Sequence, residues 1–146
     1  MKRKKVLQKI LYEILDWSKV LLTGRVIAFV VSRTLVANAQ VPTGSMETTI
    51  MSGSRVLINR LSYVVGEPER GDIIAFYFPD DKSEKYLKRI IGLPGDKVEG
   101  IGGRIYINGG LLEESYITEE INADFGPYHV PESSYFVMGD NRNNSD

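Results

Sequence analysis

Ser45 is the residue of this chain best placed to act as a nucleophile. It lies in the segment 42–49, which follows a hydrophobic N-terminal segment and precedes the first run of β-prone residues. A serine hydroxyl becomes a nucleophile only when a neighbouring base removes its proton. The chain contains no cysteine, which excludes disulfides, thiolate metal sites and a cysteine nucleophile. The chemistry of Ser45 therefore depends on which base the chain offers.

Histidine is the most common base for a serine nucleophile, and the chain contains one, His129. It lies in the loop-like stretch 126–131, where a lone histidine is far more often a surface residue than a catalytic one. A lysine serves as base only when it is neutral, and at its usual pKa of about 10.4 only about 1 molecule in 2,500 is neutral at pH 7. A lysine base therefore needs burial that lowers its pKa to about 7 to 8.

The candidate lysine base is Lys88. Residues 86–91 are apolar on both alternating faces, a pattern typical of a strand that is covered on both sides. Its two basic residues, Lys88 and Arg89, fall on opposite faces, so one of them must point inward. Arginine does not deprotonate in practice, whereas lysine does so readily when desolvated, which favours Lys88. On periodicity alone the favoured interpretation is that both side chains lie at a strand end and extend into water.

The elements that position these residues are predicted to be β-strands. Turn residues rich in glycine and proline separate six short β-prone runs, which are 55–59, 73–78, 86–91, 97–99, 104–107 and 134–138. The runs 97–99 and 104–107 predict a hairpin across the glycine-rich turn 100–103. Residues 108–133 are polar and contain glycine and proline, so we expect an irregular surface loop there.

Charge divides the chain into two parts. Residues 1–39 contain eight Lys and Arg residues and two Asp and Glu residues, so this part is basic. Residues 40–146 contain ten Lys and Arg residues and 17 Asp and Glu residues, so that part is acidic. The two parts therefore face different surroundings. Nucleic-acid binding needs clustered Lys and Arg to contact phosphates, and an acidic domain without a basic stripe does not provide them. We therefore expect no nucleic-acid partner.

The N-terminal part predicts a membrane anchor. Residues 1–18 form a basic, amphipathic segment, and residues 19–39 are apolar and long enough to cover about 30 Å as a helix. Arg25 and Arg33 interrupt the apolar run but lie near its ends, where they can extend toward head groups. The prediction is a cytoplasmic segment at 1–18, a transmembrane anchor at 19–39 and an extracytoplasmic domain at 40–146. The alternatives are an amphipathic surface helix and a cleaved signal peptide.

Four successive segments resemble the sequence boxes of bacterial type I signal peptidases. They are 42–50, 70–74, 86–96 and 138–145, and their order and spacing also match. The resemblance implies a mainly β fold, with an antiparallel catalytic domain behind an N-terminal membrane-anchor helix. It also implies a membrane-anchored serine endopeptidase that removes signal peptides from exported preproteins at small-x-small sites. The implied partners are those signal peptides and membrane lipid, and no metal or organic cofactor is implied.

The resemblance assigns roles to individual residues. It makes Ser45 the nucleophile and Lys88 the general base of a Ser/Lys dyad. Thr43 matches a hydroxyl that joins the Ser45 backbone N–H in an oxyanion hole, whose donors stabilise charge that develops only in the transition state. Ser145 matches a serine that orients the lysine amine. Three further residues match positions that shape the pocket or brace the site, namely Met46, Asp140 and Arg142.

The family pattern continues beyond the last box, so we expect the catalytic domain to be incomplete at its C-terminus, Asp146. We also expect this chain to fold poorly or to be inactive. Two alternative functions follow from the same residues. One is a membrane-tethered β domain without catalysis, and the other is a self-cleaving repressor-type Ser/Lys peptidase. The second requires a DNA-binding N-terminus, which residues 1–39 do not resemble.

Overall fold

The computed structural model describes residues 2–79, 81–82 and 84–144. The chain divides into two compact units. One comprises Met1–Ala37 and Asn59–Leu61, and the other comprises Asn38–Ile58 and Ser62–Asp146.

The first unit is built on a single helix, α1, at Lys2–Thr34. Large apolar side chains are exposed along it from Val6 to Val31. The expected helical anchor over 19–39 is wrong in its bounds, because the helix ends at Thr34 and Val36–Gln40 form a strand. Within the part of the chain that the structure describes, no helix has both the length and the apolar character needed to cross a membrane. The sequence prediction counted the apolar residues of that strand as part of the helix.

The other elements are short strands and one single-turn helix. In chain order they are β1 (Val36–Gln40), β2 (Arg55–Asn59), α2 (Ser62–Val65), β3 (Ile73–Tyr77), β4 (Lys85–Gly92), β5 (Lys97–Ile101), β6 (Arg104–Ile107), β7 (Gly110–Leu111), β8 (Phe125–His129) and β9 (Phe136–Met138). Strands β1 and β2 pair with each other, and the rest form two sheets with the orders β3-β4-β9 and β7-β6-β5-β8. Every pairing in these two sheets is antiparallel, which confirms the mainly β, antiparallel fold.

The predicted hairpin forms between β5 and β6. Ile101 pairs with Arg104, so the connecting turn is only Gly102 and Gly103. Both have positive φ, 57° and 83°, as a two-residue hairpin turn that matches the strand twist requires. Glycine is therefore needed at both positions because a Cβ is strained there.

The expectation of an irregular loop over 108–133 is only partly correct. Strands β7 and β8 lie within it, and β8 forms an edge of the four-stranded sheet. Strand β8 contains Pro127, which has no N–H and suits an edge strand. Its pairing with β5 depends on Gly100, because a Cβ there would lie 2.4 Å from the ring of Phe125. This close approach between distant residues leaves no periodic pattern in the sequence.

The hydrophobic core joins the two larger sheets. Its buried residues come from β4, β5, β6 and the position after β8, and they are Ile91, Val98, Ile105 and Val130. The rings of Phe125 and Phe136 stack beside them with centroids 5.8 Å apart. The second half of β4 is therefore held within the core, which fixes the position of the basic residues that precede it.

Candidate active site

Ser45 lies in a compact turn between β1 and β2. It is buried, with 9% of its surface exposed, and Met46 beside it is fully buried. The turn is closed by hydrogen bonds from Glu47 N to Gly44 O, at 3.1 Å, and from Ile50 N to Met46 O, at 2.8 Å. Backbone bonds of this kind hold the serine in one place without a helix or a strand.

Thr43 lies close enough to share a hydrogen bond with Ser45. The two hydroxyl oxygens, Thr43 Oγ1 and Ser45 Oγ, are 3.4 Å apart. A threonine hydroxyl can donate or accept a hydrogen bond, so Thr43 can donate one to negative charge that develops near the Ser45 oxygen. The structure therefore brings together two of the residues singled out in the sequence.

Lys88 lies in the middle of β4, where it pairs with Ile74 of β3. It is 6% exposed, so the interpretation in which its side chain extends into water at a strand end is wrong. Its side chain lines a cleft of about 360 Å³ whose aromatic walls are Phe76, Phe78 and Tyr86. Its Nζ lies 5.8 Å from the centroid of the Tyr86 ring. The inward orientation expected for this lysine is therefore observed.

Arg89, the next residue of β4, is partly buried. Its Nε and Nη2 donate to the two carboxylate oxygens of Asp140 at 2.9 and 2.7 Å, and Nη1 donates to Gly71 O at 2.7 Å. Its guanidinium carbon lies 3.9 Å from the centroid of the Tyr116 ring. The hydrogen bonds to Asp140 raise the pKa of Arg89 further, against the opposing effect of burial. The expectation that one of the two basic residues points inward is met by Lys88, and the Arg89 side chain is also largely covered because Asp140 compensates its charge.

Arg142 has a carboxylate partner that the sequence did not reveal. Its Nη1 donates to Glu114 Oε2 at 3.0 Å, its Nη2 donates to Glu114 Oε1, and its Nε donates to Gly139 O at 3.0 Å. Both side chains of this ion pair are almost fully buried. Glu114 also accepts a hydrogen bond from the Tyr116 hydroxyl at 2.7 Å. Burial, and next this hydrogen bond, raise the pKa of Tyr116 well above its usual range.

Asn141 connects the turn after β9 to the serine turn. Its backbone N–H donates to Ser45 O at 3.0 Å, and its Nδ2 donates to Gly44 O at 3.2 Å. Because its neighbour Asp140 binds Arg89, the serine turn is linked through residues 140 and 141 to strand β4. Among the described residues, no group of three or more His, Cys, Asp and Glu is placed to hold a metal ion.

Comparison with known proteins agrees with this architecture. The sequence model of the signal peptidase, peptidase S26, family matches residues 14–146. The chain belongs to this family. A probable signal peptidase I-2 from Synechocystis is 42% identical over 137 residues, which cover 90% of this chain and 62% of that protein. Signal peptidase I S of Bacillus subtilis is 38% identical over 143 residues, which cover 90% of this chain and 76% of that protein.

A solved structure is also similar to this peptidase S26 family member. It is the crystal structure of a signal peptidase I from Enterococcus faecalis, with a TM-score of 0.50 and 39% sequence identity. The similar region covers 56% of this chain and 83% of that chain. The chain spans about three fifths of the length of the Synechocystis relative and of a Leptolyngbya signal peptidase I.

The predicted site residues of this family member fall into three groups. Thr43, Ser45 and Met46 share the turn between β1 and β2. Lys88 and Arg142 line the same cleft, while Asp140 is paired with Arg89. Ser145 lies outside the described residues. The residues that sequence reasoning missed are Asn141, Glu114 and Tyr116. Their respective contacts with Ser45, Arg142 and Arg89 join residues that are distant in sequence.

Proposed function

We propose that this chain is a serine endopeptidase of the signal peptidase I type, which removes signal peptides from exported preproteins at small-x-small sites. Family membership and the names of its relatives support this class of reaction. The observation that carries the proposal is the burial of Lys88 in an aromatic cleft. Burial disfavours a charged amine, and a neutral amine is what a lysine base needs.

The first half of the reaction uses Ser45 and Lys88 as a dyad. The neutral Lys88 amine accepts the proton of Ser45 Oγ, and the oxygen attacks the carbonyl carbon of the scissile peptide bond. The carbonyl oxygen becomes an oxyanion, which accepts hydrogen bonds from the Ser45 backbone N–H and the Thr43 hydroxyl. The 3.4 Å separation of the two hydroxyl oxygens supports this role for Thr43.

The second half of the reaction releases both products. The Lys88 ammonium donates its proton to the leaving amine as the carbon–nitrogen bond breaks, which leaves an ester on Ser45. A water molecule then loses a proton to Lys88 and attacks the ester, and Ser45 regains its hydrogen as the acid product leaves. In this proposal Ser145 orients the Lys88 amine, and Met46 excludes water from the site.

The negative charge of Asp140, in the turn after β9, is offset within the fold. Arg89 donates hydrogen bonds to both of its carboxylate oxygens. A carboxylate whose charge is already offset favours a nearby ammonium less than an unpaired one does. Asp140 and Arg142 thus brace the site while limiting its negative charge.

The proposal places the enzyme at the cell membrane, with membrane lipid bound by α1. The support is the exposed apolar surface of this helix and the basic residues at its start. The test is flotation of the chain with vesicles of neutral and anionic lipid, compared with a chain that lacks residues 1–34. Equal flotation of the two chains contradicts attachment through α1.

The decisive experiment for catalysis is cleavage of a preprotein in detergent by three variants. Ser45→Ala and Lys88→Met are expected to abolish cleavage, while Lys97→Met is expected to retain it. Lys97 is the matched control because it also lies on a strand, is paired with Glu99 at 2.8 Å and is not among the residues that line the cleft. Undiminished cleavage by Lys88→Met shows that the dyad assignment is wrong.

A further inference from the structure

Two consecutive carbonyl groups at the candidate nucleophile are held by one residue of another turn. Asn141 donates its backbone N–H to Ser45 O at 3.0 Å and its Nδ2 to Gly44 O at 3.2 Å. Within the serine turn, Gly44 O also accepts a hydrogen bond from Glu47 N at 3.1 Å. The Gly44 carbonyl is therefore fixed from inside the turn by Glu47 and from outside by Asn141.

The orientation of the Gly44 carbonyl decides where the Ser45 N–H points. Both groups belong to one planar peptide unit, and in a trans peptide the C=O and the N–H point in opposite directions. A hydrogen bond that holds Gly44 O on one side therefore aims the Ser45 N–H to the other side. That N–H is the oxyanion donor of the proposed function.

The turn that carries Asn141 is itself rigidly held. The preceding residue, Asp140, is fully buried and bound at both oxygens by Arg89, and the following residue, Arg142, is bound by Glu114. Breaking a buried ion pair leaves an uncompensated charge, so these pairs resist displacement. Asn141 therefore acts from a fixed support.

We propose that Asn141 is a positioning residue that fixes the Gly44–Ser45 peptide plane and so aims the Ser45 N–H at the oxyanion. The inference rests on the proposed function only for the role of that N–H. An oxyanion donor acts in the transition state, where its distance and direction matter most. Loss of this alignment lowers kcat more than it raises KM.

The test compares two isosteric substitutions in the same turn. Asn141→Asp keeps the shape of the side chain but replaces the Nδ2 donor with an oxygen that repels Gly44 O. Asn143→Asp is the matched control, because Asn143 Nδ2 instead donates to Glu119 Oε2 and Glu120 O. We expect Asn141→Asp to lower kcat about 10- to 100-fold with KM changed less than about threefold. We expect Asn143→Asp to change kcat less than about twofold.

A second readout does not depend on activity. In the ¹⁵N-labelled full chain, Asn141→Asp is expected to shift the Ser45 amide resonance and to speed its hydrogen exchange, whereas Asn143→Asp leaves both unchanged. The proposal is overturned if the Ser45 amide resonance and its exchange rate are unchanged in Asn141→Asp. It is also overturned if the loss of kcat parallels the loss of Tm in both variants. Undiminished cleavage by Ser45→Ala instead refutes the proposed function, and the amide comparison still decides whether Asn141 positions this peptide.

Discussion

Arg89 and Asp140 form a bidentate ion pair that joins strand β4 to the turn after β9. The two hydrogen bonds are 2.9 and 2.7 Å long, and the Asp140 side chain is fully buried. Planar guanidinium and carboxylate groups match in this geometry, which makes the pair directional as well as strong. The pair holds the turn bearing Asn141 against the strand bearing Lys88, so it connects both halves of the candidate site.

Breaking this ion pair is expected to destabilise the fold strongly. Arg89→Met leaves Asp140 buried without its cation, a change that typically costs about 3–5 kcal/mol. The measurement is the free energy of unfolding from urea denaturation. The control is Arg104→Met, because the Arg104–Glu120 pair is 3.6 Å long and more than half exposed. Exposed pairs contribute about 0–1 kcal/mol, so equal losses in the two variants contradict the structural role of Arg89.

Asp96 is expected to make stability depend on pH in the acid range. Burial raises its pKa, but hydrogen bonds from Leu93 N–H, Asn108 and Arg70 lower it by more, so the pKa lies below its usual value. A depressed folded-state pKa contributes stability that is fully present above the unfolded pKa of about 3.9 and is lost as the pH falls through the folded value.

Asp96→Asn tests this dependence, because asparagine has no charge to lose. The difference in unfolding free energy between the wild type and this variant is expected to be constant near neutral pH and to shrink below about pH 4. Urea denaturation across a pH series measures it. A difference that stays constant through the acid range contradicts the prediction.

Gly100→Ala is expected to disrupt the pairing of β5 with β8. The new Cβ would lie 2.4 Å from Cε1 of Phe125, whose ring stacks on Phe136 and has little room to move. Overpacking of this kind costs about 1–3 kcal/mol, which a fall in Tm reports. Gly66→Ala is the control, because its nearest contact is an ordinary 3.4 Å from Ser62 O. The double variant Gly100→Ala with Phe125→Leu should recover part of the lost Tm. If it recovers none, the clash with the Phe125 ring is not the cause of the loss.

Local patterns predicted those parts of the fold that depend on neighbouring residues. The bounds of β2 and β6 agree with the predicted runs, and the Gly102–Gly103 turn forms the expected hairpin. Both faces of the Lys88 strand are apolar, which made Lys88 the candidate base, although periodicity alone favoured a side chain that extends into water. Each of these features depends on alternation or turn chemistry within a few residues.

The features that could not be predicted depend on partners distant in sequence. Glu114 belongs to a polar stretch, and nothing in its neighbourhood indicates that Arg142 lies against it. The sequence pattern favoured an Arg89 side chain that extends into water. Nothing near Arg89 in the sequence indicated that Asp140 compensates its charge. The end of α1 at Thr34 was missed because β-branched and apolar residues continue into β1, and composition alone does not separate a helix from a strand.

Lys88 and Arg89, the two neighbouring basic residues of β4, are expected to respond differently when each is replaced by the other basic residue type. Lys88→Arg preserves positive charge and length, but a guanidinium does not give up its proton, so it cannot act as a base. Loss of a general base typically costs about 10²- to 10⁴-fold, and we expect kcat/KM to fall by that factor when cleavage is measured below the unfolding transition. Tm is expected to fall as well, because the guanidinium stays charged in a buried cleft. Arg89→Lys loses the bidentate contact to Asp140, so it is expected to lower Tm while retaining measurable cleavage below the unfolding transition. Full activity in Lys88→Arg would show that Lys88 is not the base, because a guanidinium cannot accept the proton of Ser45 Oγ.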